Sequence, residues 1–118
     1  MKYLCLVYFE AVIFDRMSEV EKKTLDRDSL AYDEELLRSG KLIHAEALQS
    51  PKSAVTVRVR NQQVSSTDGP FAETKEQLGG FILVEAQDME EARRIASGIP
   101  LAKYGSIEVR PTYDIPTH

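Results

Sequence analysis

Two short runs of this sequence, Tyr3–Phe9 and Phe81–Val84, are apolar or aromatic at every position. A strand with one face in water alternates polar and apolar residues, so an uninterrupted apolar run of strand length indicates a strand covered on both faces. Each run is far shorter than the roughly 20 apolar residues of a membrane-spanning helix. The sequence therefore predicts a sheet whose central strands are covered on two sides.

Helix signals separate these strands. Ser18 and Glu21 have the spacing of a capping box, which predicts the start of a long helix. Gly40 stands where a left-handed residue commonly closes a helix, so this helix is expected to end near Ser39. The stripe expected to face the core comprises Leu25, Tyr32 and Leu36.

The remaining elements are predicted from the alternation of polar and apolar residues and from residues typical of turns and helix ends. Further strands are expected over Leu42–Gln49, Ala54–Arg60, Val64–Thr67 and Ser106–Arg110, with a tight turn at Asn61-Gln62. Asp88 and Glu91 repeat the capping signal, and Gly98 with Pro100 ends this second helix, whose inner face is Ala92 and Ile95.

This order is the ferredoxin-like split βαβ plan of the α+β class, in which both helices cover one face of an antiparallel sheet. The other face would be bare although its central strands are apolar. A second copy of the chain is the simplest cover, so we expect a homodimer joined sheet to sheet.

Composition limits the function further. The chain has 118 residues, 42% of them hydrophobic, and a formal net charge of −4. This length fits a single domain, expected over residues 1–112 with a C-terminal tail over 113–118. The acidic balance argues against a nucleic-acid partner. Cys5 is the only cysteine, and residues 1–9 lack the features of a signal peptide, so a cytoplasmic protein without a membrane segment is expected.

The sequence resembles the DGPF branch of the YCII-related family. The matching segments are Met1–Tyr3, Gly40–Leu42, Glu46–Gln49, Thr56–Arg58, Asp68–Gly80 and Ser106–Pro111. The segment Asp68–Gly80, which begins Asp-Gly-Pro-Phe, is the most specific match. The resemblance implies a ferredoxin-like fold and the dimeric α/β-barrel assembly. It also implies kinship with cofactor-free enzymes such as muconolactone isomerases, and a gene context that often includes sigma factors.

Relatives in this family often carry a histidine in the first helix and an aspartate before the final loop, which form an acid/base pair. The corresponding positions here are Ser29 and Ile99. A hydroxyl and an isoleucine cannot exchange a proton near neutral pH, so this mechanism is not transferred.

His44 and Glu46 are the first candidate catalytic residues. Alternation predicts that Leu42, His44, Glu46 and Leu48 share one strand face, opposite Ile43, Ala45 and Ala47. The small apolar set suits packing against helices, so His44 and Glu46 would face the partner sheet as a base and its orienting carboxylate. The alternative is an interface histidine beside a carboxylate bound to the backbone or to Arg58.

Asp68 is the third candidate catalytic residue, because the Gly69-Pro70 turn can hold its carboxylate at a strand end. The alternative is an Asx turn that only positions Phe71. Residues expected to bind substrate are Arg58, Phe71, Glu73, Lys75 and Arg110. Solvated charges and a core phenylalanine are the alternatives for this set.

Together these features predict a homodimer that binds a small polar or aromatic metabolite in a cavity by the sheet. Cofactor-free acid/base chemistry of the isomerase, lyase or hydrolase type is one hypothesis. A non-catalytic accessory or sensor protein in a sigma-factor or stress circuit, and a structural dimer without a site, are the others. No metal or cofactor is expected, since His44-Ala45-Glu46 lacks a following C-x-x-C and the usual nucleotide-binding motifs do not occur.

Overall fold

The computed structural model describes residues 1–117, so His118, the last residue of the predicted tail, lies outside the described residues. In chain order they form β1 (Lys2–Phe9), α1 (Val12–Asp15), α2 (Glu19–Arg38), β2 (Leu42–Ala47), β3 (Val55–Arg60), β4 (Gln63–Asp68), β5 (Gln77–Glu85), α3 (Met89–Ser97) and β6 (Ser106–Pro111).

Four strands form the main sheet in the order β2-β5-β1-β6, and each is antiparallel to its neighbours. In the chain α2 lies between β1 and β2, and α3 lies between β5 and β6, while β1 and β5 are the two central strands of the sheet, which is the split βαβ arrangement. The predicted ferredoxin-like α+β fold is therefore confirmed. The predicted domain division stays a prediction, and Tyr113–Thr117 form no helix or strand.

The two longer helices pack on the same face of this sheet. Both begin as their sequences predict, because Ser18 and Glu21 form a complete capping box and the Glu91 amide donates to Asp88. The Glu91 carboxylate reaches back to Gln87 N rather than to Asp88 N. The core between helices and sheet includes Tyr3, Cys5, Val7, Leu36, Ile82, Val84, Ala92 and Ile95.

The opposite face of the main sheet carries no helix within residues 1–117. Leu4 and Leu6 of β1 lie there beside Phe81 and Leu83 of β5, and none of the four belongs to the buried core cluster. We call these four residues the bare sheet face. The sequence-based expectation of one uncovered, apolar sheet face is confirmed.

The strands β3 and β4 form a separate two-stranded sheet, the arm, which spans Val55–Asp68. Its turn is the predicted one, with positive φ at Asn61 (51°) and Gln62 (65°), as the twist of a tight hairpin requires. The arm explains a radius of gyration of 16.4 Å, because a compact chain of this length has about 13.5 Å.

Three features of the strands β2 and β5 differ from the sequence-based prediction. β5 begins at Gln77 rather than Phe81, so Gly79-Gly80 lie inside a strand. β2 ends at Ala47, two residues before the predicted end. An irregularity between Leu42 and His44 places Leu42 opposite Val84 and against the core, so Leu42 does not share a face with His44 as alternation predicted.

Candidate functional site

Two cavities adjoin the sheet, and they lie in different parts of the fold. The helix–sheet cavity, of about 520 Å³, lies between α2 and the strands β2 and β5. The loop cavity, of about 570 Å³, lies under the segment that follows the arm. Both are large enough for a small organic ligand.

Four residues of α2 line one side of the helix–sheet cavity: Asp26, Ser29, Leu30 and Asp33. Their spacing of three or four residues places them on one stripe of the helix. On the other side the strands contribute mainly small residues, including Ala45, Ala47, Gly79 and Gly80. The cavity exists because these residues have too little side chain to fill the space between helix and sheet.

The polar groups of this cavity are acidic or neutral. Asp26 and Asp33 contribute carboxylates and Ser29 contributes a hydroxyl, while no Lys, Arg or His is among the described lining residues. Burial raises the pKa of the Asp33 carboxyl above its ordinary value. Asp33 therefore keeps its proton to higher pH than a solvated aspartate does, which is useful in a general acid.

Ser29 and Ile99, the positions of the acid/base pair in related sequences, both line the helix–sheet cavity. The two positions singled out by the family resemblance therefore lie in the wall of one cavity, although neither residue can carry the proton. The carboxyl of Asp33 lies one helical turn beyond Ser29. Sequence reasoning missed Asp33, and its spacing of four residues from Ser29 was the signal that could have found it.

His44 and Glu46 meet on β2. His44 Nε2 lies 2.9 Å from Glu46 Oε2, and both side chains are more than half exposed, at 59% and 57%. They face the side of Leu83 and Phe81, their partners on β5, and the His44 ring lies 5.9 Å from the ring of Phe81. The predicted face is therefore confirmed, whereas catalysis by this pair stays a prediction. Glu46 is part of the wall of the helix–sheet cavity, but its carboxylate lies with His44 on the opposite side of the sheet.

The loop cavity is mainly apolar. Its walls include Tyr8 from β1, Leu48 after β2, Leu78 of β5, and Pro70 with Phe71. The loop between Ala72 and Gln77 is held by the Gln77 amide, whose Nε2 donates to the carbonyl oxygens of Ala72 (3.0 Å) and Thr74 (2.8 Å). No carboxylate is among the described residues that line this cavity.

Asp68 lies at the end of β4, opposite Val55, and lines neither of these cavities. Its carboxylate has no hydrogen-bond or ion-pair partner within residues 1–117, so the suggested Asx turn does not form. The reason is that the residue two positions on is Pro70, which has no N–H to donate. The turn is held by backbone and hydroxyl groups instead, since Gly69 N donates to Ala54 O (2.7 Å) and Thr56 Oγ1 donates to Gly69 O (3.0 Å).

The residues expected to bind substrate are scattered. The Arg58 guanidinium lies over the Phe71 ring, 5.8 Å from its centroid, and Phe71 is 82% exposed. Lys75 Nζ lies 3.7 Å from Glu10 Oε1, and Glu73 is exposed. Arg110 lies beside Leu4, on the bare side of the sheet. Of this set only Phe71 lines a cavity adjoining the sheet, and the substrate contacts stay predictions.

No group of three or more metal-ligating side chains occurs within residues 1–117. None of the helices that these residues form combines the length and apolar character needed to span a bilayer. The buried thiol of Cys5 has a pKa raised to about 11 by desolvation, which opposes any role as a nucleophile.

The topology and the cavities define a small ferredoxin-like α+β domain with ligand-sized spaces beside its sheet. A family model of the YCII-related domain matches residues 1–116. The chain is also 35% identical over 113 residues to an uncharacterized protein of Rhizobium meliloti (strain 1021), a match that covers 94% of this chain and 91% of the relative. The chain belongs to the YCII-related family.

Proposed function

We propose that this protein is a cytoplasmic homodimer that binds a small polar metabolite in the helix–sheet cavity and transfers protons on it without a cofactor. The observation that carries the proposal is Asp33, a carboxyl of raised pKa in the wall of a ligand-sized cavity. A perturbed acid in such a concavity is the physical signature of acid/base chemistry.

Two carboxyl groups in this cavity have different surroundings. Burial favours the protonated form of Asp33, whereas Asp26, which lies two helical turns earlier on the same stripe of α2, is exposed. In the proposed reaction Asp33 donates a proton to a substrate oxygen, and the Asp26 carboxylate accepts one from another position. The Ser29 hydroxyl holds a polar group of the substrate.

The lining also limits the kind of substrate. Two carboxylates and no cation among the described lining side chains disfavour an anionic ligand. The apolar part of the wall, which includes Ile82, Ile99 and Leu101, suits a small ring. We therefore expect uncharged lactones and quinols to bind in preference to hydroxy acids.

The homodimer is supported by the bare sheet face. Leu4, Leu6, Phe81 and Leu83 form an apolar surface that no helix within residues 1–117 covers, and a two-fold dimer in which each copy covers this surface of the other would remove both surfaces from water. His44 and Glu46 lie on the same side of the sheet, so a second copy would also shield this pair from solvent.

A non-catalytic sensor is the second candidate function. The loop cavity favours it, since this space is large enough for a ligand yet has no carboxylate among its described lining residues. A ligand bound there would be held by apolar contacts with Tyr8 and Phe71, without a group to move its protons.

A thermal-shift screen tests the proposal. The probes are neutral lactones, quinols, hydroxy acids and nucleosides, measured against wild type, Ala47→Leu and Ala31→Leu. Leucine at position 47 would fill the helix–sheet cavity, whereas Ala31 is exposed on α2 and lines neither cavity. A ligand at a hundred times its Kd adds about 2.7 kcal/mol to the unfolding free energy.

We expect lactones or quinols to raise the Tm of wild type and Ala31→Leu by several degrees, and to have no effect on Ala47→Leu. A probe that stabilises Ala47→Leu as much as wild type would contradict binding in the helix–sheet cavity and favour the sensor function at the loop cavity. A response to hydroxy acids alone would contradict the proposed substrate class.

A further inference from the structure

The arm presents an apolar face that nothing in the described part of the chain covers. Val55, Val57 and Val59 alternate along β3, and Val64 of β4 lies opposite Val59. These four residues, here called the valine face, are exposed to 55%, 61%, 57% and 72%. An isolated two-stranded hairpin is only marginally stable in water, so an arm of this composition needs a partner surface.

We infer that the valine face of the arm lies on the bare sheet face of a second copy of the chain, so that the two protomers of the proposed dimer exchange arms. The inference rests on the proposed homodimer and adds a specific contact to it. The other face of the arm already has a partner in its own chain, because Arg58 lies over Phe71 and Thr56 bonds to Gly69.

A second copy is the occupant because one chain carries both halves of the contact. The valine face and the bare sheet face are both apolar, and both are free of covering elements within residues 1–117. In a two-fold dimer the valine face of each protomer lies on the bare sheet face of the other, so the contact forms twice. The assembly is then closed, and neither apolar surface is left exposed. A different protein would cover only one of the two surfaces.

Two isolated charges support this pairing. Asp68 lies on the valine side of the arm, opposite Val55, and Arg110 lies on the bare side of the sheet, beside Leu4. Neither side chain has a hydrogen-bond or ion-pair partner within residues 1–117. When the arm of one protomer covers the sheet of the other, Asp68 can meet the partner's Arg110, and this charge complementarity fixes the register of the contact.

Charge reversal tests the contact, with the dimer dissociation constant measured by analytical ultracentrifugation. We expect Asp68→Arg and Arg110→Asp each to weaken the dimer by about tenfold or more, and the double variant to recover most of the loss. Circular dichroism checks that each variant is folded. If the double variant loses as much free energy of dimerisation as the two single variants together, the pairing of these two residues is overturned.

A second pair of variants tests the valine face itself. Val57→Lys with Val64→Lys places two charges on that face, while Gln63→Lys with Ser65→Lys places the same two charges on the opposite face of the arm. We expect dissociation only in the first pair. If wild type is a dimer and both double variants dimerise as tightly as wild type, the arm exchange is overturned and a dimer in which the two bare sheet faces meet directly remains. If wild type is a monomer, both the arm exchange and the homodimer are overturned.

Discussion

His44 Nε2 and Glu46 Oε2 lie 2.9 Å apart on the side of β2 that faces away from the helices. The helix–sheet cavity lies on the other side of β2, so a ligand bound there would not meet these two side chains. The pair lies instead on the side of the sheet that a second copy of the chain would cover.

Glu46→Gln and His44→Gln are each expected to change the affinity for a neutral lactone or quinol by less than about twofold, because both side chains lie on the far side of the sheet from the helix–sheet cavity. Ala47→Leu, which fills the cavity, should abolish binding in the same assay. Isothermal titration of the three variants at constant pH measures the affinities. A loss of about tenfold in Glu46→Gln, the size expected for a lost charge-assisted hydrogen bond, would contradict binding in this cavity.

Asp33→Asn is expected to stabilise the protein in a pH-dependent way. Because burial raises the pKa of Asp33 in the folded state, the wild-type protein loses stability as the pH rises from the unfolded value of about 3.9 through the folded value. The asparagine does not ionise and avoids this loss. Below both pKa values the Asp33 carboxyl is protonated, so the side chains at position 33 are uncharged in both proteins.

Urea unfolding between pH 3 and pH 8 checks this expectation. The difference in unfolding free energy between Asp33→Asn and wild type should grow with pH and then level off. It should stay below about 1 kcal/mol, since solvent screens a carboxylate that is only partly buried. A difference that is constant across the pH range would show that the amide acts through packing alone.

The contact between Tyr32 and Gly98 predicts a packing defect. The Tyr32 hydroxyl donates a 2.6 Å hydrogen bond to Ile95 O, and a Cβ added at Gly98 would lie 2.4 Å from that hydroxyl. Tyr32→Phe should cost about 1 kcal/mol, and Gly98→Ala should cost more, because the whole ring must move.

Gly40→Ala is the matched control for Gly98→Ala. It has open space around the added methyl but a φ of +76°, so its cost of about 1–2 kcal/mol is conformational. Thermal unfolding of the double variants, in which Gly98→Ala or Gly40→Ala is combined with Tyr32→Phe, separates the steric cost at Gly98 from the backbone cost at Gly40. The Gly98→Ala cost should shrink in that background, and the Gly40→Ala cost should not change.

Cys5 is expected to be inert in the folded protein. The thiol is fully buried in β1 and its pKa is raised to about 11, so the reactive thiolate is scarce and inaccessible. Titration with a disulfide reagent at pH 8 should give no rapid reaction in buffer and one thiol per chain in denaturant. Rapid labelling of the native protein would contradict the position of this residue in the core.

Local signals made most of the fold predictable. The pair Ser18 and Glu21 marked the start of α2, and Asn61-Gln62 marked the turn of the arm. The extension of β5 to Gln77 was not predictable, because Gly79-Gly80 reads as a loop. The strand needs a glycine at position 80 because β2 comes so close that an added Cβ would lie 2.9 Å from Glu46 O.

The candidate site was only partly predictable, because a cavity is made by elements far apart in the sequence. The shared face of His44 and Glu46 was predicted from strand alternation, which is a local property. Asp33 was missed because its burial depends on how α2 packs against β2. The separation of the arm from the main sheet was missed for the same reason, since alternation gives the faces of a strand but not its neighbours.

Chemical-shift mapping by two-dimensional NMR tests the central claim most directly. A neutral lactone or quinol found by the thermal-shift screen is titrated into ¹⁵N-labelled protein. Binding in the helix–sheet cavity should shift the amide signals of Ser29, Asp33, Ala45 and Ala47 and leave those of Phe71 and Ala72 in place. Shifts confined to Phe71, Ala72 and Leu78 would place the ligand in the loop cavity and contradict the assignment of Asp33 as the acid.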